Sequence, residues 1–239
     1  MKLVTFDLCG RDRVGAVQDG RVIDLNAAFT AALVEAHRVQ IAAASDELRQ
    51  RCDRAAQAAV SGGSAGGDAR RVAIRNLLRS GGFRPAGRNK PAQEYLLRTA
   101  AEEGTLPTIC NAVDLINLVS LQSGLPISLV SIDRIGPRIS LRVATAGEKY
   151  VFNRTGQELD VEGLLCVCAG GPSGSEPVGS PVKDSMRAKV TEEDHHLLAC
   201  LYASAQAIPA VELRRWADEL GEGLQRFCGA GQVDVTILP

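Results

Sequence analysis

Aromatic side chains are scarce in this chain: one Trp, three Tyr and five Phe among 239 residues. A core built almost without them must be packed from Ala, Leu, Val and Ile, and the apolar residues do reach 45%. Histidine is scarcer still. His195 and His196 are adjacent and His37 is far away in sequence, so no Ser-His-Asp or Cys-His arrangement can be argued, and no metal site is expected. The seven cysteines contain no CxxC pair. An odd number without paired spacing argues for reduced, buried thiols and a cytoplasmic protein. No apolar run approaches the length of a membrane span, which excludes a membrane partner. The opening MKLVTFDLCGRDR carries charges on both sides of a very short apolar run, unlike a signal peptide. No segment repeats at a fixed period.

Catalytic motifs are equally sparse. The Gly-rich run GGPSGSEPVGSP (170–181) is not a phosphate loop, because Gly179 is followed by Ser-Pro rather than Lys-Ser/Thr. Ser180-Pro-Val-Lys183 and Ser185-Met-Arg-Ala-Lys189 both fit S-x-x-K, but no S-D-N or K-T-G element accompanies them. No motif names a reaction, and none implies a cofactor.

What is present is an uneven charge. The net is −1, yet Arg70–Arg98 holds eight basic residues (Arg70, Arg71, Arg75, Arg79, Arg84, Arg88, Lys90, Arg98) against Glu94 alone. Thr191–Gly223 holds seven acids against Arg214 and Arg215. A basic segment in a neutral protein is either a local phosphate footprint or a solvated helix face.

Along the chain, VTF (4–6), RVGAVQ (13–18) and RVIDL (21–25) read as short strands, with Asp19-Gly20 a hairpin turn. The Ala-rich stretch Ala31–Val60 has helix propensity, and SGGSAGGD (61–68) reads as a linker or exposed loop. Helices are expected at Arg70–Ser80, Pro91–Glu103 and from about Thr108 to Gln122. Glu94 and Arg98 have the spacing to pair, and Arg88 and Lys90 flank a helix N-terminus that favours an anion. Strands are expected at Ile127–Ile132, Ile139–Thr145, Lys149–Asn153, Leu164–Cys168 and Gln232–Leu238, with an irregular loop at 170–181. Thr191 with the acids after it reads as the N-cap of a helix to about Ala205, and Pro209 as the start of another to Phe227. The mixture predicts an α+β fold on a mostly antiparallel sheet.

The richest stretch is LPTICNAVDLINLVSLQSGLPISLVSID (106–133). Asn111, Asp114, Asn117 and Ser120 recur every three residues on one winding face of an apolar helix. Such polar groups either cap neighbouring backbone or wall a polar pocket, and side chain–backbone bonding is the commoner fate.

This stretch, with GRNKPAQEYLLR (87–98), ISLRVATAGEKY (139–150) and SEPVGSPVKDSMRAKV (175–190), resembles the B3/B4 domain of the phenylalanyl-tRNA synthetase β subunit, and most of all its free-standing relatives. The resemblance covers about residues 70–239. It implies an α+β unit that binds tRNA and, in the synthetase, hydrolyses tyrosine wrongly attached to phenylalanine tRNA. Asn117 matches an asparagine lining the editing pocket, and Arg88, Glu94, Arg98, Asp114 and Asp133 match recurrent family positions. Where the synthetase has an editing histidine this chain has Ser128, as free-standing relatives tend to have a small residue. Nothing resembles a class II aminoacylation core.

The resemblance implies a substrate pocket of Asn111, Asp114, Asn117 and Ser128, with Glu176, Lys183, Asp184 and Ser185 on the opposite wall, and an RNA-binding set of Arg84, Arg88, Lys90 and Arg98. The expected partner is tRNA, or alternatively a small amino-acid-like ligand or a protein. Residues 1–25 separately resemble the small N-terminal segment of fumarylacetoacetate hydrolase-type proteins, without that family's metal-binding carboxylates. The expected organisation is an N-terminal β-hairpin segment, 1–30, followed by a B3/B4-like domain, 31–239.

Overall fold

The computed structural model describes residues 2–7, 12–18, 21–24, 30–62, 67–170, 174–205 and 207–238, with side chains from Thr30 onward. Its first strands, β1 (Lys2–Asp7), β2 (Asp12–Gln18) and β3 (Arg21–Asp24), form an antiparallel sheet of their own. Gln18 pairs with Arg21, the register that a two-residue connection imposes. The expected turn at Asp19-Gly20 itself lies outside the described residues.

The helix expected from Ala31 is not there. Thr30–His37 is strand β4, flanked on both sides by antiparallel partners, and helix α1 begins only at Asp46 and runs to Gly62. Ala31, Ala32, Val34 and Ala36 are buried. Pairing along both edges of the strand outweighs the weak local preference of alanine for helix. The second correction has a similar cause. His196–Ala203 is strand β11, not a helix capped by Thr191. Thr191 and Asp194 instead close a turn, Asp194 accepting from the Thr191 N–H and hydroxyl and from Ser131 Oγ. HLLACLYA is apolar on both faces, so its period cannot separate a buried strand from a buried helix.

Three further helices match their expected places: α2 (Gly67–Ser80), α3 (Ala92–Glu103) and α4 (Asn111–Ser123), the last two ended by left-handed Gly104 and Gly124. Of the expected 61–68 linker, residues 63–66 lie outside the described part, and helix occupies either side. Then come β5 (Ile127–Ser131), the single turn α5 (Ile132–Ile135), β6 (Ile139–Val143), β7 (Lys149–Val151), β8 (Glu158–Asp160), β9 (Leu165–Ala169) and β10 (Glu176–Gly179). β10 falls inside the run expected to be irregular. After β11 follow α6 (Ala210–Cys228) and β12 (Gln232–Leu238).

The fold is α+β. Its main sheet has the order β12-β4-β11-β5, antiparallel throughout, and a second sheet has the order β10-β9-β6. One apolar cluster runs from Ala31 to Ala230 and joins the two sheets to the helices. Helix α6 covers one face of the main sheet, with Gly221 lying against Val34, Val233 and Val235. No helix among the described residues is long and apolar enough to cross a membrane.

The end of α2 meets the turn before β9 backbone to backbone. A Cβ at Gly81 would lie 2.0 Å from the Gly163 carbonyl oxygen, and Gly163 has φ +75 with the reciprocal contact at 2.2 Å. Neither neighbour is a side chain that can swing aside. Gly81→Ala is therefore expected to lower unfolding stability by at least about 1–3 kcal/mol, seen as an earlier denaturant midpoint with an unchanged slope.

Candidate functional site

Three members of the polar stripe on α4 are used up in backbone bonding. Asn111 donates its amide to the Gln40 and Phe227 carbonyls at 2.8 and 2.9 Å and accepts from the Ala42 and Ala112 N–H groups. It ties the start of α4 to the 40–42 segment and to the end of α6. Asp114 accepts from the Ile109 N–H, and Ser120 donates to the Leu125 carbonyl. Asp114 borders a small separate hollow with Arg49, Cys52, Asp53 and Thr105. Asn111 and Asp114 thus stand apart from the expected pocket.

Asn117, one turn further along, opens into a cleft of about 480 Å³. Its apolar wall is Ile109, Val113 and Ile116 from the α4 segment, Ile127 and Leu129 from β5, and Val182 and Val190 from the loop after β10. Its polar lining is Asn117, Asn153, Ser180, Lys183, Asp184 and Lys189. Residues 55 positions apart meet because β5 is an edge strand of the main sheet and the 180–190 loop folds along that edge.

The loop is held by the half-buried carboxylate of Asp184 and the buried phenol of Tyr150. Asp184 accepts the Ser128 hydroxyl, the Leu129 N–H at 3.0 Å and the Ser180 N–H at 3.4 Å. Burial pushes its pKa up to about 6, although the Ser128, Leu129 and Ser180 donors and the charge of Lys189 pull the other way. Tyr150 places its hydroxyl 2.8 Å from Ser180 Oγ and 2.5 Å from the Lys183 carbonyl oxygen. Between these anchors the Lys183 ammonium lies 4.0 Å from the centre of the Phe152 ring and 5.7 Å from that of Tyr95, and donates to the Arg88 carbonyl at 3.3 Å. Burial and the nearby Arg88 charge lower the Lys183 pKa.

Of the residues expected on the pocket walls, Asn117, Lys183 and Asp184 line this one cleft, and Ser128 lies beneath it through Asp184. Ser185 caps a short turn by accepting from the Arg187 N–H, and Glu176 is exposed and paired with Arg187. The B3/4 domain family matches residues 83–211, more than half of the chain. The chain belongs to the B3/4 domain family, that of the phenylalanyl-tRNA synthetase β-type B3/B4 domain. Among curated proteins none matches. All residues of the cleft fall within the B3/4 match, whereas β4 and β12, which complete the main sheet, lie outside it.

Half of the basic segment of this B3/4 chain, four of its eight cations, is neutralised by ion pairs within the fold. Arg70 is buried against Glu212 and the Ser123 carbonyl, and Arg71 pairs with Asp68. Arg75 forms a two-point pair with Glu94, at 2.6 Å for each bond. Arg98 turns to Glu102 instead of Glu94, because Glu94 is already taken. Arg84, Arg88 and Lys90 make no ion pair among the described residues, and they sit in the loop leading to Ala92 at the cleft wall. The expected anion site at the start of α3 is partly closed, since the Ala92 N–H donates to the Pro181 carbonyl. Sequence reasoning missed Phe152, Asn153 and Lys189 at the cleft and Tyr95 beside Lys183. Two of them are aromatic residues in a chain that has few, which was the available signal.

Asp184 gives a signed pH test. Its pKa is about 6 in the folded state and near 3.8 unfolded, so the folded protein takes up a proton between those values. This group's contribution is therefore most favourable below about pH 4 and is lost as pH rises through about 6. Against Asp184→Asn, the wild type is expected to gain about 2 kcal/mol of relative stability between pH 7 and pH 4, read from denaturant midpoints. A constant difference across that range would contradict the assignment.

Proposed function

We propose that this B3/4 chain is a free-standing, tRNA-directed module of the editing type, without aminoacylation activity of its own, and that residues 31–239 act as one unit preceded by the N-terminal hairpin segment. The observation that carries this reading is the cleft itself. It combines an apolar wall fit for an amino-acid side chain with the amides of Asn117 and Asn153 and two ammonium groups, Lys183 and Lys189. The loop of Arg84, Arg88 and Lys90 adjoins it and carries cations left free for phosphates. In this reading Asn117 orients the aminoacyl group, and Lys183 meets the terminal nucleotide. Phe152 and Tyr95 hold Lys183 in place.

Hydrolysis would then depend on a positioned water and the ribose hydroxyl of the tRNA rather than on a side-chain base. The alternative reading, a non-enzymatic module for a small amino-acid-like ligand, draws support from Ser128. Its hydroxyl, at the place of the editing histidine, is bound to Asp184 and buried.

The test is incubation with mischarged and free tRNAs across a salt series. Deacylation, or binding that weakens steadily with salt, is expected. Arg88→Ala should reduce the salt slope by about one phosphate contact, and Asn117→Ala should slow deacylation without changing that slope. Absence of both deacylation and salt-dependent binding would sink the proposal. A thermal shift with amino-acid esters but not with tRNA would establish the alternative.

A further inference from the structure

Far apart in sequence, His37 and His196 are brought face to face by the main sheet. They are directly opposed in the β4–β11 register, with ring centres 4.1 Å apart. Glu35 lies two residues before His37 on the same side of β4, and Asp234 of β12 is opposed to Glu35. One donor atom from each of Glu35, His37 and His196 lies within 4.8 Å of the other two. Glu35 Oε1 is 2.6 Å from His196 Nε2 and 3.6 Å from His37 Nε2, and Asp234 Oδ2 is 3.9 Å from His37 Nε2.

We propose that these four side chains form a binding site for a divalent transition-metal ion of the zinc class. Two imidazoles and two carboxylates suit zinc, nickel or copper, whereas calcium and magnesium take oxygen ligands almost alone. Metal–nitrogen bonds of about 2.0–2.1 Å in a tetrahedron set neighbouring donors about 3.3 Å apart. The 2.6 and 3.6 Å of the Glu35 contacts bracket that value, and Asp234, 3.9 Å from His37, would join the other three donors by rotation of its exposed side chain. A metal ion would take the place of the direct contact now made between His196 and Glu35.

Charge balance points the same way. Among the described residues no Lys or Arg pairs with Glu35 or Asp234, so the two carboxylates face the histidines without a resident cation. The donors are partly open to solvent, with His196 24% and His37 33% exposed, so an ion can enter without unfolding the sheet. Three strands supply the donors, and His37, Glu35 and Asp234 lie outside the residues matched by the B3/4 family. The site would therefore clamp β12 and β4 to the family-matched β11.

The experiment is titration of the metal-free full chain with Zn²⁺ by calorimetry, and with Co²⁺ by visible absorption. One ion per chain is expected, with a rise in unfolding temperature on adding Zn²⁺. His37→Ala and His196→Ala should each weaken binding by about 100-fold or more, and Glu35→Gln, which keeps the side chain's shape, by at least about tenfold. No stoichiometric binding to the wild type would overturn the site. Binding that persists in a folded His37→Ala/His196→Ala protein would overturn it as well, by placing the metal on thiols.

Discussion

The Asp184 carboxylate is the point on which the cleft and the junction of the two sheets both depend. β5 is an edge strand, and an edge strand leaves backbone groups that must be satisfied or covered. Asp184 accepts the Leu129 N–H of that strand and the Ser128 hydroxyl, and so fastens the loop after β10 to the main sheet. The same bonds bring Val182, Lys183 and Lys189 over Ile127 and Leu129. Gly179 shows how closely the parts approach, since a Cβ there would lie 2.4 Å from Ser128 Oγ. Withdrawing a carboxylate from water is costly even in part, and three donors do not offset that cost fully, which is why its proton is held to a higher pH.

The chain also shows how one helix can serve both structure and site. Along α4, Asn111, Asp114 and Ser120 are committed to backbone groups, while Asn117 alone faces the cleft. The three committed residues fix the position of α4 against the 40–42 segment, α6 and the turn before β5. The free residue is then held at a defined distance from Lys183 and Asp184 by bonds it does not itself make.

Much of this was legible in the sequence, and the failures are local. Punctuation by Pro91, Gly104, Gly124 and Pro209 located α3, α4 and α6 within a few residues, because these residues act through their own backbone geometry. β4 and β11 were misread because their identity as strands comes from each other: TAALVEAH and HLLACLYA are central only when paired, and nothing local in either run says so. Pairing of charges failed for a similar reason. Glu94 was within reach of Arg98 on its own helix, yet Arg75 from α2 makes the two-point bond. The likeness of motifs led to Asn117, Lys183 and Asp184, but it could not reveal that Asn111 and Ser185 are bound to backbone.

Lys183 is fastened at both ends. Tyr150 holds its carbonyl, and Phe152 with Tyr95 holds its ammonium. A lysine free on a surface gives up about 2 kcal/mol of rotamer freedom when it grips an anion. Here most of that freedom is already lost on folding, so an incoming anion meets a charge fixed in direction as well as in sign. Any selectivity at this position would then be geometric, favouring a group whose negative charge reaches the ammonium from a side that the Phe152 ring leaves open.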